Sequence, residues 1–275
     1  MKSFDGKVAV ITGAGSGIGR ALAVELARAG SKLALSDVDA TGLAETVKLC
    51  EPEGVPVRHD ELDVSDRQAV YDNAEAVADE YGRVNLVFNN AGVALTADIT
   101  EMDWKDFEWI VDINFWGVMH GTKAFMPHLI ASGDGHVVNL SSVFGLIAVP
   151  SQSAYNATKF AVRGFTEALR QEMRIAGHPV GVSCVHPGGI KTNIAKNARA
   201  ASGKDADQLA RLFDKIARTS PEDAARRVLR GVRRDEAKIL VGPDAYGLDL
   251  MPRALGSGYQ WLIQTAAKAG LSRAR

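Results

Sequence analysis

Short runs of β-branched and aliphatic residues alternate with amphipathic helical stretches along nearly the whole chain, and this alternation constrains the fold more than any other feature. Strands and helices in alternation are the pattern of βαβ units, whose strands lie parallel and whose helices cover both faces of the sheet. The first strand is predicted over Val8–Thr12, and Ile18, Ala21, Leu22, Leu26 and Ala29 then recur at helical spacing up to Gly30, a C-terminal stop. Further strands are predicted over residues 32–36, 55–62, 86–88, 137–140, 181–185 and 239–241. Helices are predicted over 41–50, 66–81, about 101–131 in two pieces, 155–175, and from the capping sequence Ser220-Pro221-Glu222-Asp223 to about residue 233. The pattern weakens into small and polar residues over about 190–219, which predicts a mobile flap. No repeat or linker divides the 275 residues, so a single domain is expected, with a core over 4–242 and an apolar tail over 243–275.

Charge narrows the function classes. With 32 Lys+Arg against 33 Asp+Glu, the net charge of −1 gives no electrostatic reason to expect nucleic acid as a partner. Arg226, Arg227, Arg230, Arg233 and Arg234 form a basic run, but Asp235 and Glu236 follow at once, so a solvated helix face is expected. The two cysteines, Cys50 and Cys184, lie far apart with no His cluster at metal spacing, so neither a disulfide framework nor a metal site is expected, and a reducing, cytoplasmic location fits. No stretch approaches 18 uninterrupted apolar residues, so no membrane span is expected.

Glycine is over-represented, and the sequence Thr12-Gly13-Ala14-Gly15-Ser16-Gly17-Ile18-Gly19 sits at the junction of the first strand and helix. Backbone N–H groups and the helix dipole at such a junction can hold a diphosphate, and missing Cβ atoms let the backbone approach it. The spacing is GxxxGxG through Gly13, Gly17 and Gly19, with Ser16 and Ile18 between them. Asp37 ends the second strand, where a carboxylate can accept from adenosine ribose hydroxyls and would repel a 2′-phosphate. Neither Ser16 nor Val38 supplies a basic partner for such a phosphate, so NAD(H) is expected over NADP(H). Asp39 competes with Asp37 for the alternative job of capping the next helix.

Tyr155 and Lys159 stand four apart on a predicted helix and therefore on one face, and a fixed ammonium beside a phenol stabilises phenolate. Ser142 precedes Tyr155 just after a strand, at the carboxyl edge where open α/β sheets place ligands. Ser141 is its neighbour and points the other way. Asn89 is read as structural, Cys184 as core, and His186 as packed or bonded to backbone rather than as a substrate contact.

Together these residues resemble the classical short-chain dehydrogenase/reductases. The glycine motif, Asp63-Val64, Asn89 to Gly92, Asn114, Ser142, Tyr155, Lys159 and Pro187-Gly188 with Thr192 follow that family's order, over residues 4 to about 242. The resemblance implies an α/β, doubly wound Rossmann-type fold with a seven-stranded parallel sheet, and hydride transfer between nicotinamide and a carbinol or carbonyl carbon. It implies Tyr155 as general acid and base, with Lys159 holding the nicotinamide ribose and lowering the phenol's pKa. Ser142 would polarise the substrate oxygen and Asn114 would support a proton relay. Asp63 and Val64 would contact adenine, Asn90, Ala91 and Gly92 would line the cleft, Pro187, Gly188 and Ile190 would border the cofactor, and Thr192 would bond its carboxamide. A homodimer or homotetramer is also implied, with Trp109, Trp116 and Phe160 as contributors.

Substrate contacts are expected from Ser142, Phe144, Tyr155 and Gly188, beside mostly apolar segments at 94–95 and 143–147, so the expected substrate is an uncharged, fairly hydrophobic secondary alcohol or ketone. A 3-oxoacyl thioester reductase and a non-catalytic NAD(H)-binding sensor are the alternatives. The tail carries Tyr246, Leu248, Leu250, Met251, Leu255, Tyr259, Trp261, Leu262 and Ile263, which could cap the pocket, cover an interface or lie on a membrane surface.

Overall fold

A computed structural model describes residues 1–192, 194, 198–200 and 217–273. In chain order the elements are β1 (Val8–Thr12), α1 (Gly17–Arg28), β2 (Lys32–Asp37), α2 (Ala40–Cys50), β3 (Val57–Glu61), α3 (Arg67–Tyr81), β4 (Leu86–Asn89), β5 (Leu95–Thr96), α4 (Trp104–Val111), α5 (Gly117–Ala131), β6 (Gly135–Leu140), α6 (Ser153–Ile175), β7 (Val180–Pro187), β8 (Arg199–Ala200), α7 (Pro221–Arg233), β9 (Lys238–Val241), α8 (Pro243–Leu255) and α9 (Tyr259–Arg273). Seven strands form one all-parallel sheet in the order β3-β2-β1-β4-β6-β7-β9. β5 and β8 pair separately.

The strands are apolar on both faces because both faces are covered. All five residues of β1 are buried, and successive residues divide between two cores. Ala9 and Ile11 join Leu22, Leu26, Val228 and Val232 of α1 and α7 on one side. Val8 and Val10 join Val70, Val77, Phe125 and Leu169 of α3, α5 and α6 on the other. Gly30 takes φ +81° just beyond α1, as its sequence position predicts.

Element boundaries differ from the sequence reading by a few residues. β3 is shorter than predicted because it is the sheet edge and its residues are only half covered. The long region before β6 breaks at a π-helical turn, Asp112–Trp116, between α4 and α5. The predicted flap is pinned at three places: Ile190 bridges Thr219, Arg199 pairs with Leu95, and the Arg199 guanidinium lies 3.8 Å from the Trp109 ring centroid and 2.8 Å from Asp106 Oδ1. Residues 193, 195–197 and 201–216 of that flap lie outside the described residues. The arginine run lies mainly on the solvated side of α7, with Arg226 on Asp223 and Glu25 and Arg227 on Glu236. Among the described residues, no helix is long and apolar enough to cross a membrane and no group of three His, Cys, Asp or Glu could hold a metal.

At the amino edge, His136 is buried and its Nε2 lies 2.9 Å from Ser183 Oγ, which itself donates to Glu236 O. The imidazole therefore donates from Nε2, and burial pushes its pKa down to about 4. The unfolded chain takes up this proton near pH 6.5, so the folded state loses stability as pH falls from about 6.5 to about 4, by roughly 3 kcal/mol from this group. Urea midpoints should fall over that window and the fall should be shallower in His136→Gln; equal pH slopes for the two proteins would contradict this origin.

Candidate active site

The carboxyl edge of the sheet collects the sequence motifs. Gly13 and Gly17 take φ of +66° and +53°. A Cβ on Gly13 would lie 2.8 Å from Ala91 Cα, and one on Gly19 would overlap Gly13 O. A Cβ on Gly17 would come within 3.1 Å of the Thr192 methyl, so Thr192 faces the glycine turn across the cleft. This cradle is one that side chains would fill. Ser16 precedes α1 in extended conformation and its side chain makes no capping bond, leaving its hydroxyl at the mouth of the helix.

Asn90 braces the turn: its Nδ2 donates to Thr12 O and Gly13 O at 2.9 and 3.0 Å. Asp37 accepts from Gly15 N at 2.7 Å and from Asp39 N at 3.0 Å, while Asp39 caps α2 through Gly42 N. Capping of α2 therefore falls to Asp39, and Asp37 is bonded to the glycine turn. Asp63 is exposed and accepts from Ser65, and Val64 is buried against Gly117. Ile190 is buried, and the Pro187-Gly188-Gly189 turn is held by Asp244, whose Oδ2 accepts from Gly189 N at 2.7 Å.

On the other side of the cleft, β6 delivers Ser142 and α6 delivers Tyr155 and Lys159. Ser142 Oγ accepts from Phe144 N at 3.1 Å. Ser141 points the other way and donates to Lys159 O. Lys159 is buried, its Nζ donates to Leu140 O at 3.1 Å, and it stands 5.6 Å from the Tyr155 ring centroid. The Tyr155 hydroxyl is pushed up to about 12 by burial, with the Ser142 hydroxyl acting in the opposite direction. Burial pushes Lys159 down to about 8. The ammonium was expected to lower the phenol's pKa; in this structure desolvation dominates, and the lysine is engaged with a backbone carbonyl.

Asn114 sits in the π-helical turn, fully buried. Its Oδ1 accepts from Val93 N at 2.8 Å and its Nδ2 donates to Val93 O at 2.9 Å. A Cβ on Gly92 would lie 3.2 Å from Asn114 Oδ1 and 3.4 Å from Lys159 Nζ, so the three converge. Phe144 packs edge-on to Tyr155, with centroids 6.1 Å apart, in an apolar cluster with Leu95, Ala97, Ile110 and Ala154.

Three residues of this region, Arg20, Asn156 and Asp244, escape a reading of the sequence, and Tyr259 is read there only as part of the apolar tail. Arg20, one residue past the glycine motif, donates to Gly15 O, Gly42 O and Glu45 Oε2 at 2.5, 3.1 and 2.9 Å. A basic group therefore does lie near Asp37, but a carboxylate and two carbonyls already occupy it. Asn156 spans the segment after Ser142, donating to Phe144 O and Ile147 O and accepting from Val149 N. Tyr259 accepts from Ala148 N at 3.1 Å, and Asp244 holds the Gly189 turn. Position beside a motif could have flagged Arg20 and Asn156; nothing local marks Asp244 or the backbone partner of Tyr259.

A family model described as short chain dehydrogenase matches residues 7–203. The chain belongs to the short-chain dehydrogenase/reductase family. It is an oxidoreductase with that family's nucleotide-binding Rossmann fold. It is 58% identical over 264 residues, 96% of each chain, to SadH of Mycobacterium tuberculosis, named as an oxidoreductase. It is 32% identical to human estradiol 17-beta-dehydrogenase 11, over 92% of this chain and 81% of that one. A short-chain dehydrogenase/reductase from Burkholderia phymatum in complex with NAD superposes with a TM-score of 0.86 at 35% identity, covering 92% of this chain and 95% of that one. An alcohol dehydrogenase from Thermococcus sibiricus complexed with 5-hydroxy-NADP superposes with a TM-score of 0.73 at 27% identity, covering 86% and 96%.

Gly13→Ala combines a left-handed φ with a backbone clash at Ala91 and should cost about 1–3 kcal/mol. Thermal melting checks this: a drop of several degrees is expected, and an unchanged midpoint would show that the turn tolerates a Cβ.

Proposed function

We propose that this protein transfers a hydride between NAD(H) and an uncharged, fairly hydrophobic secondary alcohol or ketone. The carrying observation is the convergence of Ser142, Tyr155 and Lys159 beside an apolar cluster on one side of the cleft, opposite a Cβ-free glycine turn on the other. NAD(H), when bound, supplies or accepts the hydride. Backbone N–H groups at Ser16 to Gly19 would hold its diphosphate, with Asp37 at the adenosine ribose, Asp63 and Val64 at the adenine, and Lys159 at the nicotinamide ribose. Asn90, Ala91, Gly92, Pro187, Gly188 and Ile190 would line the remaining wall, with Thr192 at the carboxamide. The Asp37 carboxylate and the engagement of Arg20 by Glu45 favour NAD(H) over NADP(H). NAD(H) should give the higher kcat/KM in parallel assays, and a hundredfold preference for NADP(H) would overturn the assignment.

Tyr155 delivers its proton to the carbonyl oxygen during reduction and removes the hydroxyl proton during oxidation. Ser142 Oγ accepts from Phe144 N–H, and its own O–H, which meets the Tyr155 phenol in this structure, would donate to a bound substrate's oxygen. Lys159 has three donors and spends one on Leu140 O. Asn114 supports the proton path by fixing Val93 and Gly92 against Lys159, since both polar atoms of its side chain are taken by Val93. A phenol held protonated by burial favours the acid role, so oxidation should rise with pH toward about 12 and reduction should not. Tyr155→Phe should lower kcat by about 10²–10⁴-fold in both directions. Retained turnover would remove Tyr155 from the chemistry; a lost turnover with an intact biological effect would point to an NAD(H) sensor.

The apolar cluster around Phe144 and Tyr155 fits a hydrophobic carbinol, as does a relative named for a steroid 17β-alcohol. The tail belongs to the same pocket in this reading. Leu248 and Ala245 pack on Val143 and Leu146, and Tyr259 is buried among exposed neighbours with its hydroxyl on Ala148 N–H. Tyr259→Phe should raise KM for bulky alcohols about threefold or more while leaving kcat and the elution volume unchanged. A change in assembly without a change in KM would assign the tail to a subunit interface. A homo-oligomer is proposed on the exposed Trp116 and Phe160 of the π-helical turn and α6.

A further inference from the structure

Ser142 is gripped at both of its oxygens. Its hydroxyl accepts from Phe144 N, and its carbonyl accepts from Gly145 N at 2.9 Å and lies 2.9 Å from Nδ1 of His186, the next-to-last residue of β7. His186 is fully buried. A carbonyl oxygen only accepts, so Nδ1 carries the imidazole proton and Nε2 is left as a bare acceptor. That Nε2 is buried and has no hydrogen-bond partner among the described residues. A buried acceptor without a partner is a stability liability, and an apolar side chain at this place would avoid it. What an apolar side chain would not supply is the second donor to Ser142 O, the one that ties it across to β7 rather than to its own turn.

We propose that His186 is a positioning residue for Ser142: its Nδ1–H fixes the peptide that carries the serine, so that the serine hydroxyl stays aimed at the oxygen that Tyr155 protonates. The inference rests on the hydride-transfer reading above. Ser142 stands at the point where β6 ends and a single turn of 3₁₀ helix, Val143–Gly145, begins, so its carbonyl is held on the backbone side by the turn's own Gly145 N and no longer by the sheet. Beyond it the segment is held by Asn156 and Tyr259, at Phe144 O, Ile147 O, Val149 N and Ala148 N. His186 supplies the corresponding hold at the serine itself. Displacement of a polarising donor by a fraction of an ångström weakens its bond to the charge developing on the substrate oxygen more than it weakens substrate binding. The loss should therefore fall on kcat. The imidazole is kept neutral by burial, at a pKa of about 4, so it adds no ionisation to the working pH range.

Three variants separate positioning from packing. His186→Leu keeps an apolar fill and removes the donor. His186→Asn restores a donor at the same place, because Asn Nδ2 and His Nδ1 are both bonded to Cγ. His186→Gln keeps an amide but carries its donor one bond further out. With wild-type turnover of a secondary alcohol established and Tyr155→Phe inactive, His186→Leu is expected to lower kcat at least tenfold. KM and the NAD(H) dissociation constant should stay within about threefold and the pH profile should keep its shape. His186→Asn should recover kcat to within about threefold of wild type. If His186→Leu does not fold, His186→Gln takes its place, with the same loss expected. Wild-type kcat in a folded His186→Leu or His186→Gln protein would overturn the inference and leave the hydride-transfer reading standing, as would equal losses in His186→Asn and His186→Leu. A pH limb that vanishes with the imidazole would overturn it in favour of proton transfer by His186 itself. Absence of any alcohol or ketone turnover by the wild-type protein would overturn both readings together.

Discussion

A parallel sheet covered on both faces leaves one place where polar side chains can converge beside a ligand, the edge where its strands end at their carboxyl side. The rest of this structure depends on that constraint. β1 and α1 bring the glycine turn there, β2 brings Asp37, β4 brings Asn90 to Gly92, β6 brings Ser142, and β7 brings the Pro187-Gly188 turn. The helices between them do the packing. Their apolar faces fix the strands in register, and the register fixes which loops meet.

Burial at that edge acts in opposite directions on the two titratable groups. It raises the phenol of Tyr155 and lowers the ammonium of Lys159, so both are pushed toward neutrality. The surroundings then occupy the polar atoms that chemistry does not need. Ser142 Oγ accepts from Phe144, both ends of the Asn114 amide are taken by Val93, and one donor of Lys159 goes to Leu140. What remains is the Tyr155 phenol with the Ser142 hydroxyl against it, and the Lys159 donors not spent on Leu140 O. In the proposed reaction these groups handle the proton, and they stand beside an apolar wall rather than a charged one.

The fold was legible because its signal is periodic. β1 falls on the predicted residues, and α6 carries Tyr155 and Lys159 one turn apart as their spacing requires. The motifs were legible because glycine at a left-handed turn and a tyrosine four before a lysine are local patterns. Contacts that cross the chain were not. Asp244 reaches back to Gly189 and Tyr259 reaches back to Ala148, each by one hydrogen bond between a side chain and a distant backbone group. Arg20 is adjacent to a motif, yet its role follows only from where Gly42 and Glu45 fold. The anchors at the described ends of the flap were hidden for the same reason. Its weak pattern suits mobility, but Arg199 holds Trp109 and Asp106 through contacts that a linear reading does not contain.

The central claim is that hydride passes directly between a carbinol carbon and the nicotinamide at this site. Oxidising a hydrophobic secondary alcohol that carries deuterium on its carbinol carbon, with NAD⁺ as acceptor, tests it without reference to any variant. Mass spectrometry of the reduced cofactor should then show one deuterium per molecule formed, and the rate should be slower than with the unlabelled alcohol. Reduced cofactor without deuterium, or no reduced cofactor across a panel of secondary alcohols, would contradict the account.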